Sequence, residues 1–232
     1  MAPRKAVPAI QEFAFIRSLA RRAGHWPSGL IQGIGDDAAV LTSPPNTWWH
    51  LTTDLLAEGV HFDFKTASPW SVGYRAAIAN LSDIAAMGAT PRYVLTSLAI
   101  PNRWNRSHLD EFYSGLTKAC RAHHVTLIGG DTSASKTGLF LSITLLGTTT
   151  GRRALFRHGA TVGDRIYVTG TLGDSLAGLR LLNRTDVRAP RKLKSELSQP
   201  AQQFLTGRHL QPSARVAEGQ WLLKSKLATA AI

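Results

Sequence analysis

One stretch constrains the fold of this chain more than any other: residues 68–88, SPWSVGYRAAIANLSDIAAMG. Ser68 before Pro69 is an N-cap and first-turn pair, and Gly88 is a left-handed stop, so together they predict a helix of about twenty residues. Val72, Ala76, Ala79, Asp83 and Met87 recur at spacings of four, three, four and four, which puts them on one face. That face is apolar and is predicted to be buried. Asp83 therefore brings a carboxylate toward a core, near a helix C-terminus whose dipole disfavours anions, and it requires a compensating cation. Either an arginine or a bound metal ion meets that requirement.

Around this helix the signals alternate irregularly. Apolar spacing predicts a first helix over 12–23, ended by Gly24, then β-like runs at 38–41 and 48–53 around the turn Ser43-Pro44-Pro45-Asn46. A strand at 91–100, a helix at 107–124 and strands at 125–128, 139–148 and 165–169 follow. Gly173-Asp174-Ser175 opens a helix to about Asn183, residues 184–198 read as a polar surface loop, and helices at 202–209 and 213–226 finish the chain. This order predicts an α+β fold rather than a doubly wound parallel sheet.

At 232 residues the chain accommodates one full domain and part of a second, which we divide at 1–150 and 151–232. The first part holds 13 Lys and Arg against 10 Asp and Glu, the second 14 against 5, so most of the net charge of +12 lies beyond 150. Such a basic segment suits phosphorylated ligands, an acidic partner or nucleic acid, but no nucleic-acid-binding motif accompanies it. No apolar run is long enough to span a bilayer, and residues 1–10 lack the apolar core of a secretory signal. The single cysteine, Cys120, excludes an internal disulfide, reads as a small buried hydrophobe, and fits a cytoplasmic location.

Asp36, Asp37, Asp54, Asp83 and Asp131 are half of the ten acids in the first part, each near a glycine, serine or threonine in apolar surroundings. Asp54 closes Leu51-Thr52-Thr53-Asp54, where a strand end can aim hydroxyls and a carboxylate in one direction. Asp131 follows a strand in Leu127-Ile128-Gly129-Gly130-Asp131-Thr132, whose glycines let backbone amides approach a phosphate. Each alone also reads as a turn or cap. Together they form an oxygen inventory suited to a hard cation such as Mg2+, whereas one cysteine and the adjacent His123-His124 disfavour zinc. Residues 33–38 formally satisfy G-x-G-x-x-A, yet the run after them is short and meets Ser43-Pro44-Pro45 instead of opening a helix, which excludes a dinucleotide cradle. P-loop and nucleophile-elbow motifs are absent. Phosphate handling is left to metal-bearing aspartates and to Arg152, Arg153 or Arg157, each of which also reads as part of a solvated basic loop.

Taken in order, Gly33-Ile34-Gly35-Asp36-Asp37-Ala38-Ala39, Thr52-Thr53-Asp54, Asn80-Leu81-Ser82-Asp83-Ile84-Ala85-Ala86-Met87-Gly88, Ile128-Gly129-Gly130-Asp131-Thr132 and Tyr167-Val168-Thr169-Gly170-Thr171-Leu172-Gly173-Asp174-Ser175 closely resemble the thiamine-monophosphate kinases of the aminoimidazole-ribonucleotide-synthetase-like superfamily. Gly59-Val60-His61-Phe62 and Arg208-His209-Leu210-Gln211-Pro212 extend the resemblance over nearly the whole chain. It implies ATP-dependent phosphorylation of thiamine monophosphate to thiamine diphosphate, with several Mg2+ ions held by Asp37, Thr52, Thr53, Asp54, Asp83 and Asp131. It further implies an ATP site at Gly130, Asp131 and Arg157, a thiamine-substrate contact at His61 and a supporting place for Asp36. No protein nucleophile is implied, because the substrate's phosphate oxygen attacks while metals and Arg157 neutralise and align the phosphates.

The same resemblance implies a homodimer whose N-terminal α/β domain pairs its mainly antiparallel sheet with that of a second subunit, followed by an α+β domain. The chain ends at Ala228-Thr229-Ala230-Ala231-Ile232, where the family continues with an Asp-x-Ser-Asp-Gly motif, so residues 151–232 read as an incomplete second domain. Activity of this chain alone is therefore left open. Alternatives are a selenophosphate or aminoimidazole-ribonucleotide synthetase-like enzyme and an inactive dimer-forming module. His61 and the run 167–175 favour the kinase.

Overall fold

The computed structural model describes residues 28–33, 36–43, 46–183 and 197–232; the helix predicted at 12–23 and most of the loop predicted at 184–198 lie outside the described residues. Six strands, β1 (Leu30–Gln32), β2 (Ala39–Ser43), β3 (Thr47–Ala57), β4 (Thr90–Pro101), β5 (Thr126–Ser135) and β6 (Phe140–Thr150), form one sheet in the order β1-β2-β3-β6-β4-β5. Every neighbouring pair is antiparallel except β4 with β5. Five helices complete the described fold: α1 (Pro69–Ala86), α2 (Arg106–Ala122), α3 (Asp174–Leu182), α4 (Gln199–Leu210) and α5 (Val216–Ser225). The mixed α+β class and the mainly antiparallel sheet follow the sequence. None of these helices is long and apolar enough to cross a membrane.

Strands β3 and β6 carry the centre of the sheet, and their sequences, TWWHLTTDLLA and FLSITLLGTTT, are rich in β-branched and aromatic residues. They pair without a slip from Thr47 opposite Thr150 to Ala57 opposite Phe140. Helix α1 starts as predicted, with the Ser68 hydroxyl accepting the Ser71 N–H at 3.2 Å and Pro69 in the first turn, and the chain turns at Gly88 with φ +68°. Helix α2 is closed by reciprocal bonds between Asn105 and His108. The two helices approach so closely that a Cβ on Gly73 would lie 2.0 Å from the Phe112 carbonyl, and one on Gly115 1.9 Å from that of Trp70. Their inner faces meet β4 and β6 in a core of Val72, Ala76, Leu81, Ile84, Phe112, Leu116, Val94, Ile143 and Leu145. Cys120 is buried at its margin, where burial pushes the thiol up to about 11.

Three expectations are corrected. Asp54 stands inside β3 and Asp131 inside β5, not at strand ends. The second arises because β4 offers β5 a parallel partner out to Pro101, with Ile128 bulging from the register and Gly129 absorbing the bend at φ +156°. The strand expected at 165–169 does not form: Ile166 and Tyr167 are exposed, and among the described residues no strand lies beside them. Beyond it, α3 and α4 cross at Gly178, where a Cβ would meet the Leu205 carbonyl at 2.0 Å. Helix α5 seats on the C-terminal end of α1 in the same way, Gly219 against the Ala85 carbonyl, and the Gln220 amide donates to Thr90 Oγ1 at 3.0 Å.

The sheet face away from α1 and α2 carries Trp49, Thr53, Leu55, Tyr93, Ser97, Phe140 and Ser142. Leu55, Tyr93 and Phe140 are exposed on it.

Candidate active site

Strand alternation decides what β3 offers. Thr52 points to α1, where its hydroxyl donates a short hydrogen bond to Asp83 Oδ2, and Asp54 shares that face. The Thr53 hydroxyl points the other way, 3.2 Å from Ser142 Oγ and 3.1 Å from Thr144 Oγ1. Asp83 stands on α1 as the helical spacing predicts. Its carboxyl is pushed up to about 6, chiefly by burial and further by the like charges of Asp54 and Asp37, while the Thr52 hydroxyl and Arg157 oppose the shift. Burial also raises Asp54, and His61 opposes it. His61 lies just past β3, exposed, its Nδ1 accepting the Ala57 N–H at 3.1 Å.

Asp36 and Asp37 meet this group from the turn before β2. The Asp37 side chain is only 8% exposed and is gripped by Arg157, Nε to Oδ2 at 2.9 Å and Nη2 to Oδ1. Asp36 holds main chain instead: Oδ1 accepts the Asp37 N–H at 2.9 Å and Oδ2 the Arg157 N–H at 3.1 Å. Arg157 arrives on a strap across the end of α1, fixed by the Leu155 N–H on the Met87 carbonyl at 3.1 Å and the Ala231 N–H on the Phe156 carbonyl at 3.0 Å. Of the other arginine candidates, Arg152 is exposed and Arg153 donates to the Leu223 carbonyl at 3.2 Å.

Asp36, Asp37, Thr52, Asp54, His61, Asp83 and Arg157 are thus brought together. Gly130 and Asp131 are not, since β5 is separated from β3 by β6 and β4, about 14 Å at the usual strand spacing. They line an open cleft of about 500 Å3 with Thr96, Tyr113, Leu127, Gly129 and Thr132. A Cβ on Gly130 would fall 1.9 Å from the Thr96 carbonyl, so only glycine allows β5 this close to β4. Tyr113, whose hydroxyl lies 3.2 Å from Thr96 Oγ1, is a lining residue that sequence reasoning missed. It sits one position beside the apolar stripe Phe112, Leu116 and Ala119, and its aromatic ring reads as part of that core until the cleft is seen.

Every donor in the carboxylate group is an oxygen, the chemistry of hard cations. Among the described residues no three carboxylate, imidazole or thiol groups close around a common point, so the chain alone does not complete an ion's coordination. The mutual repulsion of Asp37, Asp54 and Asp83, only partly met by Arg157, fits a cation that takes its remaining ligands from water or a phosphate.

Residues 35–149 match the family described as AIR synthase related protein, N-terminal domain. The thiamine-monophosphate kinase of Bacillus subtilis (strain 168) is 36% identical over 211 residues, covering 91% of this chain and 62% of that protein. That of Haemophilus influenzae is 40% identical over 217 residues, covering 93% and 62%. A solved structure described as AaThiL complexed with AMPPCP and TMP superposes with a TM-score of 0.80 at 33% identity, over 99% of this chain and 67% of that one. The chain spans about three fifths of the length of the curated relatives it matches.

Proposed function

We propose, from the premise that this chain belongs to the thiamine-monophosphate kinase family of AIR synthase related proteins, that it takes part in Mg2+-dependent transfer of a phosphoryl group from ATP to thiamine monophosphate. The observation that carries this reading is the group of repelling carboxylates, Asp37, Asp54 and Asp83, faced by one arginine. Such a group has the charge to hold Mg2+, which bridges protein carboxylates and substrate phosphates and lowers the repulsion between two anionic reactants. Thr52 and Asp83 fix each other by their hydrogen bond, Arg157 brings a planar cation to the same place, and His61 stands at its rim for the thiamine phosphate. The cleft of Gly130, Asp131 and Tyr113 offers a stacking surface and free main chain for the nucleotide. Thr53 and Asp131 enter the ligand set through the family resemblance alone. Attack by the substrate's own phosphate oxygen needs no protein nucleophile, and the work of the chain is alignment and charge.

Two further parts belong to the same reading. Residues 1–150 are the metal- and nucleotide-binding domain, 151–232 the beginning of a second. The exposed apolar side chains on the uncovered sheet face support a homodimer paired through that face. Titrating the chain with AMPPCP, with and without Mg2+, tests the assignment. Mg2+-dependent binding that Asp83→Asn weakens at least tenfold, about 1.4 kcal/mol, supports it; binding indifferent to both the ion and the substitution overturns it. An inactive dimer-forming module is the second reading, favoured by the exposed Leu55, Tyr93 and Phe140 on the sheet face away from α1 and α2. Thiamine diphosphate formation by this chain, compared with a form extended by the last third of the Bacillus subtilis protein, separates the two.

A further inference from the structure

A smaller cavity lies away from the carboxylate group. It has a volume of about 250 Å3 and is lined by Phe64, Ser68, Pro69, Arg103, Trp104 and His108, where the chain after β3, the opening of α1 and the turn from β4 into α2 come together. Along α1, Ser68 stands about 22 Å from Asp83 at the usual helical rise. Three of the lining residues form a row of rings: Phe64 meets Trp104 edge-on with centroids 5.3 Å apart, and His108 lies over Trp104 at 5.5 Å with an interplanar angle of 28°. The start of α2 holds that row in place. The Trp104 N–H bonds to the Pro101 carbonyl at 2.9 Å, and His108 Nδ1 accepts the Asn105 N–H at 3.2 Å.

The polar groups decide what such a cavity can receive. Because His108 Nδ1 is an acceptor, Nε2 carries the ring proton, and it has no hydrogen-bond partner among the described residues. Arg103 holds the Thr137 carbonyl through Nη1 at 2.9 Å and Glu58 through Nη2, which leaves its Nε–H as a further donor. The Ser68 hydroxyl is engaged with Ser71, and no carboxylate lines the cavity. Pro69, in the first turn of α1, adds the positive end of a helix dipole. Aromatic rings alone would also receive a cation over their faces, but the guanidinium and the helix end oppose one. What the lining complements is an acceptor-bearing anion with a flat ring. A volume of about 250 Å3 lies below the range of drug-sized sites and limits that molecule to one or two rings.

We infer that this cavity is a binding site for a small planar aromatic carboxylate, its ring packed among Phe64, Trp104 and His108 and its carboxylate accepting from His108 Nε2 and Arg103 Nε. The site is separate from the phosphoryl-transfer reading above and stands or falls without it. Binding is reversible, and no covalent bond changes.

The test uses the 232-residue chain and 4-fluorobenzoate, followed by its fluorine resonance. Benzoate should displace the probe on the order of tenfold more effectively than cyclohexanecarboxylate, which keeps the charge without the flat ring, or benzamidine, which keeps the ring and reverses the charge. The Trp104 indole N–H resonance, assigned by its loss in Trp104→Phe, should shift as the probe binds. Trp104→Leu should weaken the probe on the order of tenfold. If that variant does not fold, His108→Gln, which keeps a side-chain acceptor for the Asn105 N–H but removes the ring, should weaken it in the same direction. Equal displacement by the three competitors, binding that leaves the Trp104 indole unmoved, or full affinity in the folded variant overturns the inference, as does absence of probe binding.

Discussion

His50 shows how much one side chain in this sheet is committed to being neutral. It is fully buried on β3, with Nε2 2.9 Å from Thr149 Oγ1 and Nδ1 without a hydrogen-bond partner, and burial holds its pKa down at about 4. The unfolded chain binds a proton near 6.5 and the folded chain does not, so between those values unfolding takes up a proton. Stability is full above about 6.5 and declines as pH falls toward 4, by an amount on the order of 3 kcal/mol. Replacing His50→Phe should flatten that slope, as followed by urea unfolding at pH 7 and pH 4.5; an unchanged slope would mean that other groups carry the acid sensitivity. Asp83 was legible because helical spacing marks a buried face without knowledge of any partner. The direction of the Thr53 hydroxyl is not legible in Leu51-Thr52-Thr53-Asp54 read as a strand end, because the two-residue alternation that sends it to the far face applies only where the strand continues.

At the scale of the element, helices were easier to read than strands. The limits of α1 are written locally in Ser68, Pro69 and Gly88, whereas the length of β5 depends on β4, more than twenty residues earlier in the chain. The failure at 165–169 has the same cause, since among the described residues no strand lies beside the Arg-Ile-Tyr-Val run to share its main-chain hydrogen bonds. The edge position of β5 gives Gly130 a functional consequence. A methyl group in Gly130→Ala would collide with the Thr96 carbonyl and force β5 away from β4. Nucleotide-analogue affinity should fall at least tenfold, about 1.4 kcal/mol, while the melting temperature shifts by only a few degrees because no core side chain moves. A large loss of melting temperature with unchanged affinity would place the glycine in folding instead of in the cleft.

For the molecule as a whole, the decisive asymmetry is a sheet with helices on one face and none of the five on the other. Leu55, Tyr93 and Phe140 are exposed on that second face, an apolar surface that suits the proposed pairing with a second copy. Leu55→Asp should convert a dimer into a monomer in analytical ultracentrifugation without unfolding it, since the side chain is 66% exposed; a monomeric unmodified chain would dismiss the pairing. The family motifs imply that Arg157 works beside the metal-binding carboxylates, but not that it grips Asp37 itself, because that depends on a strap whose hydrogen bonds join residues far apart in sequence. The last of those bonds, from Ala231 to Phe156, sits one residue before Ile232 and one residue before Arg157. A fluorophore placed at position 232 is consequently expected to report on Arg157, because one main-chain bond joins the neighbours of the two residues.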